Sequence, residues 1–414
     1  MNICSSIYFL NHYELHFHNE SHYKQKIPYD KILAPQVISS NMIPINKPWM
    51  GEEEKYEVTS VLEENALTTA ARDGGKRVRE FESHMKSYLK IRHVVSVNSG
   101  TAALHAALLA AGIKQGDEVL IPSFTFVATA NAVIAAGARP MFVDIKKDDY
   151  TIDVSDLKAK ITKKSRVVIP VHLYGHPSDM DEIGELAEKL SLDIIEDACQ
   201  SLGSTYKKKQ TGTFGILGCF SMYASKVLTA GEGGAVATDS DELADKLKMI
   251  RNHGMVEGYD TRMLGLNLRL PELSAAVAKV QMQKLDKMLE IRRRNAELLS
   301  KLLLASSKKY ELKIPEETAD KKFNWYLYTL AFQDGRDRIK DKLVQNNVGA
   351  TVYYSPPVHK MPFYMQVAPE TKLPATEWCA DHVLSLPVHP HVAEADIDHI
   401  ANSLKSTIEK QNVS

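Results

Sequence analysis

A single lysine stands among small residues in the stretch FSMYASKVLTAGEGG, which runs from Phe220 to Gly234. Ala224 and Ser225, which precede Lys226, are small enough to let a flat cofactor approach, and the glycines that follow allow the backbone to pass close beside it. An amine used for covalent chemistry needs a lowered pKa, which burial or nearby cations supply. The stretch therefore indicates either a reactive amine in a cofactor site or an ordinary surface charge.

A second segment, NSGTAALHAAL, has the residue types of a phosphate-binding turn. Gly100 permits a tight turn after a strand, and a helical pattern begins at about Thr101. The free N–H groups of a first helical turn, together with the helix dipole, bind phosphate well. Ser221 adds a hydroxyl that could donate to the same group. An ordinary helix cap is the other interpretation of this segment.

Two more segments supply an aromatic ring and a carboxylate. PSFTFVATANA follows a strand, and the ring of Phe126 could stack on a planar cofactor or pack in the core. IIEDACQSLG ends an apolar strand in two acids, and a buried carboxylate such as Asp197 is costly unless it meets a cation or several donors. A protonated pyridine nitrogen would be a suitable partner, and capping of the next loop is the alternative.

The order of these four segments is more informative than any one of them. Pyridoxal phosphate needs an anchor for its phosphate, a stacking ring, an acid at its pyridine nitrogen and an amine for its aldehyde. The chain offers these in sequence, so we predict pyridoxal phosphate as the cofactor. No GxxxxGK[ST] or HExxH motif is present, and Gly175 and Pro177 break the polar segment HLYGHPSDMD, so no metal site is predicted.

The elements around these segments alternate between helix and strand from Thr101 onward. This pattern predicts an α/β fold with a mainly parallel sheet covered by helices on both faces. Strand ends at Ser99, Ser123, Gly175 and Asp197 should then meet at one edge, where such sheets bind ligands. The character changes after GGAVATD, and a long charged helical pattern follows over residues 271–304.

We therefore expect a large cofactor-binding domain over residues 42–290 and a smaller C-terminal α+β domain over residues 291–414. Residues 1–41 contain no glycine and differ in character from the rest, which predicts a poorly ordered extension. Their four histidines follow an H-x3-H-x-H-x3-H spacing, for which metal binding is the less favoured interpretation.

Composition narrows the function classes. The chain has 414 residues and a formal net charge of −1, so nucleic-acid binding is not expected. No apolar run approaches the roughly 18 residues of a membrane span, and the amino terminus lacks the pattern of a signal peptide. The four cysteines form no CxxC pair, which fits a reducing cytoplasm.

Together these motifs, with GEGGAVATD, RNHG, NLRLPELSAAV and LSLPVHP, resemble the DegT/DnrJ/StrS family of pyridoxal-phosphate-dependent sugar aminotransferases. The resemblance runs from about Ile43 to near the C-terminus and leaves out residues 1–41. It implies the fold type I of the aspartate aminotransferase class, with a seven-stranded type of sheet in the large domain.

The resemblance also implies roles for individual residues. Lys226 matches the lysine that condenses with the cofactor, and Asp197 matches the acid on the pyridine nitrogen. Gln200 matches a polar residue near the cofactor ring and O3′, and Phe126 matches the stacking aromatic. Because Lys226 would be freed during the reaction, it would also move the proton as general base and acid.

The phosphate site and the partner subunit follow from the same resemblance. Gly100 and Thr101 match the phosphate-binding turn, and Ser221 matches its hydroxyl donor. Asn267, in NLRL, matches an asparagine that reaches the phosphate from the partner subunit. The resemblance therefore implies a homodimer with shared active sites.

The substrate side rests on YYSPPVHKMPFY, which contains Tyr354 and His359 and resembles the substrate-side motif of the small domain. The implied reaction moves an amino group, with glutamate as the expected donor, to a keto group of a nucleotide-linked sugar. A 4-keto-6-deoxyhexose, as in perosamine synthesis for surface polysaccharide, is the expected example. A keto-inositol aminotransferase and a sugar dehydratase are the alternatives, although dehydratases of the family carry histidine where this chain has Lys226.

Overall fold

A computed structural model of the protein describes residues 42–368 and 371–411, so the expectations for residues 1–41 lie outside the described residues. Within these described residues, nine strands precede the long helix. They are β1 (His93–Val97), β2 (Glu118–Pro122), β3 (Arg139–Val143), β4 (Ser165–Val168), β5 (Asp193–Asp197), β6 (Thr205–Tyr206), β7 (Lys209–Gln210), β8 (Leu217–Ser221) and β9 (Gly234–Thr238). After that helix, the described part of the chain has three short strands, namely β10 (Lys321–Lys322), β11 (Tyr328–Ala331) and β12 (Val383–Leu386).

Seven of these strands form one sheet in the order β1-β9-β8-β5-β4-β2-β3. The pairs β2–β3, β2–β4, β4–β5 and β5–β8 are parallel, whereas β9 runs antiparallel to both of its neighbours. The predicted large, mainly parallel sheet of an α/β fold is confirmed. Every residue of β2 is buried, because helices cover both faces of the sheet.

The helices of the described residues complete the layers. Their bounds are Glu52–Glu63, Lys76–Leu89, Gly100–Ala110, Ala128–Ala135, Val154–Lys160, Met180–Leu190, Asp241–Ile250, Glu272–Lys309, Arg336–Gln345, Pro362–Val367, Pro374–His382 and Glu394–Gln411. Single 3-10 turns lie at Leu173–Gly175 and Val358–Lys360. No helix of the described ranges is long and apolar enough to cross a membrane.

Alternation along β2 divides the core between the two faces of the sheet. Ile121 packs in a cluster with Leu104 and Leu108 of the helix that follows β1. Leu120, which points the other way, packs in a cluster with Ile183. Successive strand side chains face opposite sides, so each strand holds a helix layer on each face.

The helix Glu272–Lys309 has 38 residues and is about 57 Å long. At its start, the Glu272 carboxylate accepts hydrogen bonds from the backbone N–H groups of Arg77 (2.8 Å) and Val78 (3.3 Å), which begin another helix. Beyond it, β11 and β12 pair antiparallel over a further apolar cluster. The boundary predicted between residues 290 and 291 falls inside this helix, and the division into two domains stays a prediction.

Parallel pairing brings several strand ends to one edge of the sheet. Asp197 ends β5 beside Cys219 of β8. Two residues later, Ser221 ends β8 opposite Gly234, and Gly234 also pairs with Val97 at the end of β1. The antiparallel β9 therefore begins where its neighbours end, and the glycines of GEGG lie at the ligand-binding edge.

Candidate active site

The turn after β1 lies against the end of β8. Ser99 caps the helix, because its Oγ accepts a hydrogen bond from the Ala102 N–H at 3.1 Å. A Cβ atom placed on Gly100 would lie 2.7 Å from the Cβ of Ser221 and 3.1 Å from the Sγ of Cys199. Only glycine fits here, so the Ser221 hydroxyl stands beside the first turn of the helix. Thr101 is exposed at the same end.

The two acids that end β5 point in different directions. Asp197 is 5% exposed, and its Oδ2 accepts from the Thr129 hydroxyl at 2.8 Å. Its Oδ1 accepts from the Cys199 N–H at 3.2 Å. These two donors fix the orientation of the Asp197 carboxylate at the end of β5.

Glu196 instead caps the next loop, the role that the sequence had left open for either acid. It is fully buried and accepts from the backbone N–H groups of Gly212 (2.7 Å), Phe214 (2.5 Å) and Gly215 (2.8 Å). Its Oε2 also lies 2.9 Å from the Nε2 of His172. The alternation of strand side chains separates this structural acid from Asp197.

Lys226 follows a turn in which its backbone N–H donates to the Tyr223 carbonyl at 2.9 Å. Its Nζ lies 4.8 Å from the ring centroid of Tyr326, within the range of a cation–π contact. The Tyr326 hydroxyl lies 3.3 Å from the Oγ of Ser225. The Asn46 side chain donates to the Ser225 carbonyl. Ser225, which precedes Lys226, is therefore held by both Tyr326 and Asn46.

Electrostatic effects on Cys199 show that the lysine and the acid share one neighbourhood. Burial raises the pKa of the Cys199 thiol well above its usual value, and the negative charge of Asp197 adds to this rise. The positive charge of Lys226 lowers the same pKa. Cys199 therefore lies within electrostatic reach of both side chains.

Phe126, Gln200 and Tyr354 form the aromatic side of the site. Phe126 is 53% exposed, and its ring centroid lies 5.8 Å from that of Tyr354. Gln200 donates to the Tyr354 hydroxyl at 3.2 Å and accepts from the Tyr174 N–H at 2.9 Å. Burial raises the pKa of Tyr354 well above its usual value, with a contribution from Asp197.

His359 and Asn267, two further predicted site residues, differ in their exposure. His359 is 2% exposed, with Nδ1 2.7 Å from the Ser123 hydroxyl and Nε2 3.2 Å from the Glu377 carboxylate. Both ring nitrogens have partners, which anchors the segment of His359 to the end of β2, and its role on the substrate side stays a prediction. Asn267 is exposed, and its backbone carbonyl lies 3.4 Å from the Asn98 side-chain nitrogen.

Sequence reasoning missed the side chains that hold the predicted residues in place. Thr129 lies inside the quoted PSFTFVATANA segment, so a hydroxyl in the helix turn after the aromatic was an available signal. Asn46 and Tyr326 lie 180 and 100 residues from Lys226, and no local pattern connects them with it. In the described ranges, no group of three or more His, Cys, Asp or Glu side chains could hold a metal ion.

The arrangement fits pyridoxal phosphate. A glycine-dependent helix turn beside Ser221 suits a phosphate, and a buried carboxylate held by two donors suits a pyridinium nitrogen. Phe126 offers an exposed ring face, and Lys226 offers the amine.

Comparison with known proteins gives the same result. A model of the DegT/DnrJ/EryC1/StrS aminotransferase family matches residues 48–405. The GDP-perosamine synthase of Vibrio cholerae is 30% identical over 371 residues, which cover 88% of this chain and 99% of that protein. The UDP-N-acetyl-3-dehydro-alpha-D-glucosamine 3-aminotransferase of Acidithiobacillus ferrooxidans is 37% identical over 335 residues, covering 81% of this chain and 89% of that protein.

A solved structure matches the fold as well. The crystal structure of DesV from S. venezuelae, in complex with a ketimine intermediate, superposes with a TM-score of 0.82 at 34% identity. The match covers 88% of this chain and 99% of that one. The chain therefore belongs to the DegT/DnrJ/EryC1/StrS aminotransferase family, and it is a pyridoxal-phosphate-dependent transaminase.

Proposed function

We propose that this enzyme transfers an amino group from an amino-acid donor, glutamate being the expected one, to the keto group of a nucleotide-linked deoxysugar. A 4-keto-6-deoxyhexose is the expected acceptor, and surface polysaccharide synthesis is the expected use of the product. The observation that carries the proposal is the placement of Asp197, held by Thr129 and Cys199, at the same sheet edge as the Gly100 turn. Relatives named as nucleotide-sugar enzymes support the acceptor class.

In this proposal, separate residues bind the phosphate and the ring of the cofactor. The Gly100–Thr101 turn and Ser221 bind the phosphate, Phe126 stacks on the ring and Gln200 contacts its edge. When bound, pyridoxal phosphate supplies an aldehyde that carries the amino group and a ring that withdraws electrons.

Asp197 and Lys226 control the protonation of the ring nitrogen and the proton transfers of the reaction. The Asp197 carboxylate, oriented by hydrogen bonds from Thr129 and the Cys199 N–H, would hold a proton on the ring nitrogen. The Nζ of Lys226, once free, removes the proton from the Cα atom of the amino donor as a general base. It returns a proton as a general acid when the sugar carbon receives nitrogen. Donor and acceptor use the same site in turn, so ping-pong kinetics are expected.

We also propose a homodimer in which Asn267 of each subunit reaches the phosphate of the other. The exposed side chains of Asn267 and Phe126 near the ligand edge support this proposal. Tyr354 remains a proposed substrate contact, and for His359 we propose the anchoring of the Tyr354 segment. Cys199, Cys219 and Cys379 are free thiols in the described part of the chain, which supports a reducing, cytoplasmic setting.

The proposal is tested by incubating the cofactor-loaded enzyme with glutamate and a panel of keto-sugar nucleotides and analysing the products by mass spectrometry. Amination of a nucleotide sugar, absent in Lys226→Ala, is expected. Amination of a keto-inositol alone, or turnover retained by Lys226→Ala, would overturn it. Retention of cofactor affinity in Asn267→Ala would contradict the shared site.

A further inference from the structure

Arg292 is a buried cation in the middle of the long helix. Its side chain is 2% exposed, although a buried charge is costly unless it is well partnered. The guanidinium donates to the carbonyls of Trp325 and Tyr326, each at 3.2 Å, and to the Oδ1 of Asn46 at 3.0 Å. All three acceptors are uncharged, and burial lowers the pKa of Arg292 to about 10.

One route from this guanidinium leads to Lys226 through Asn46. The Asn46 side chain accepts from Arg292 with its oxygen and donates with its nitrogen to the carbonyl of Ser225. Ser225 immediately precedes Lys226, so the amide fixes the backbone from which the lysine side chain extends.

A second route leads to Lys226 through Tyr326. The Tyr326 carbonyl accepts from Arg292, while its ring lies 4.8 Å from the Nζ of Lys226. Its hydroxyl lies 3.3 Å from the Ser225 Oγ. Arg292 therefore positions the Tyr326 ring that contacts the Lys226 amine. Through Asn46, it also positions the backbone of Ser225.

The three segments joined in this way are distant in sequence. Asn46 precedes the first described helix, Ser225 lies between β8 and β9, and Tyr326 follows the long helix. A guanidinium can join them because its planar fork presents several donors in fixed directions. A lysine at position 292 would be a single flexible point charge and could not replace this geometry.

We propose that Arg292 and Asn46 are positioning residues that set the place of the Lys226 amine for proton transfer. The inference rests on the proposed role of Lys226 in the reaction. Proton transfer needs the base within hydrogen-bond reach, and small displacements of a catalytic group cost large factors in rate. Loss of the hydrogen bonds that join Arg292, Asn46 and Ser225 therefore lowers kcat and leaves KM nearly unchanged.

The decisive variant is Asn46→Asp. The new carboxylate keeps the oxygen that Arg292 contacts, and the guanidinium keeps it ionised, so it cannot donate to the Ser225 carbonyl. The ion pair with Arg292 offsets part of the lost hydrogen bond to Ser225, so we expect a melting temperature no lower than that of the control variant below, with kcat lower by about tenfold or more.

Asn295→Asp is the matched control on the same helix. Asn295 is 1% exposed, its oxygen accepts from Arg294 at 3.1 Å, and its nitrogen donates to the Val392 carbonyl at 3.0 Å. The same chemical change there replaces a buried amide beside an arginine, away from the contacts of Lys226. It is expected to lower the melting temperature and leave kcat near the wild-type value.

A second measurement does not depend on turnover. Borohydride makes the bond between the cofactor and its lysine permanent, and mass spectrometry then gives the rate at which Lys226 is modified. We expect this rate to fall in Asn46→Asp and to stay unchanged in Asn295→Asp. The Arg292→Lys variant should show the same lower rate of Lys226 modification as Asn46→Asp.

Two results would overturn the inference. One is an Asn46→Asp enzyme with wild-type kcat and a wild-type rate of modification. The other is a loss of kcat that follows the melting temperature in both aspartate variants, since that would reflect general destabilisation. A wild-type enzyme in which borohydride never modifies Lys226 would instead overturn the proposed function, so the two failures are distinguishable.

Discussion

Replacing His176 by phenylalanine should make the protein more resistant to acid. The His176 ring is 2% exposed and stacks on Phe323 with centroids 4.0 Å apart. Its Nδ1 lies 3.4 Å from the Asp149 carbonyl, and its Nε2 has no partner in the described part of the chain. Phenylalanine has a similar flat shape. The substitution therefore removes the titrating group and loses only the long contact with the Asp149 carbonyl.

The magnitude follows from the pKa of His176. Burial lowers it from 6.5 to about 4, and the charge of Asp149 opposes this only in part. Below pH 6.5 the unfolded chain binds more protons at this position than the folded chain does. The stability that the neutral ring contributes is therefore complete above the unfolded pKa and is lost as the pH falls towards 4. The loss is about 2 kcal/mol at pH 5 and near zero at about pH 7.5.

The assay is urea unfolding at these two pH values, with protein and cofactor concentrations held constant because ligand and partner binding shift the apparent stability. Between about pH 7.5 and pH 5, the wild type should lose about 2 kcal/mol more of its free energy of unfolding than His176→Phe does. His84→Phe, at an exposed position, is the control and should show no such change. Equal pH dependence of His176→Phe and the wild type would refute the reasoning.

Three further substitutions test the site and its supports. Gly100→Ala forces a Cβ against Ser221 at 2.7 Å, so overpacking of about 1–3 kcal/mol should weaken cofactor binding, and unchanged affinity in a fluorescence titration would contradict this. Thr129→Val removes the hydroxyl that donates to Asp197 at 2.8 Å, and equilibrium dialysis should show cofactor affinity reduced by about tenfold. Glu196→Gln turns an amide nitrogen towards backbone donors, so the urea midpoint should fall by the equivalent of about 3 kcal/mol, whereas a wild-type midpoint would show that the loop does not need the carboxylate.

Local patterns were enough to predict the sheet and the parts of the site that lie at strand ends. Alternating apolar strands and helices predicted the parallel pairing, and glycine after a strand predicted the turn at Gly100. These features depend on a few neighbouring residues, because strand ends and helix starts are set by local backbone geometry.

The remaining features depend on contacts across the chain. Adjacent acids at the end of β5 have the same sequence signal, and only the direction of each side chain separates Glu196 from Asp197. His359 lies in a motif near the site, but its burial against Ser123 depends on how a segment 236 residues away returns to β2. The contacts of Arg292 likewise require three distant segments to be placed first.

The long helix also fixes a distance within the chain. Glu272 at its start and Arg292 within it both make buried contacts, about 30 Å apart along the axis. One residue inserted between them would turn the second contact by about 100° and move it by about 1.5 Å relative to the first. Natural variation in chain length should therefore occur in loops such as residues 255–261, because the interval between these two contacts permits neither insertion nor deletion.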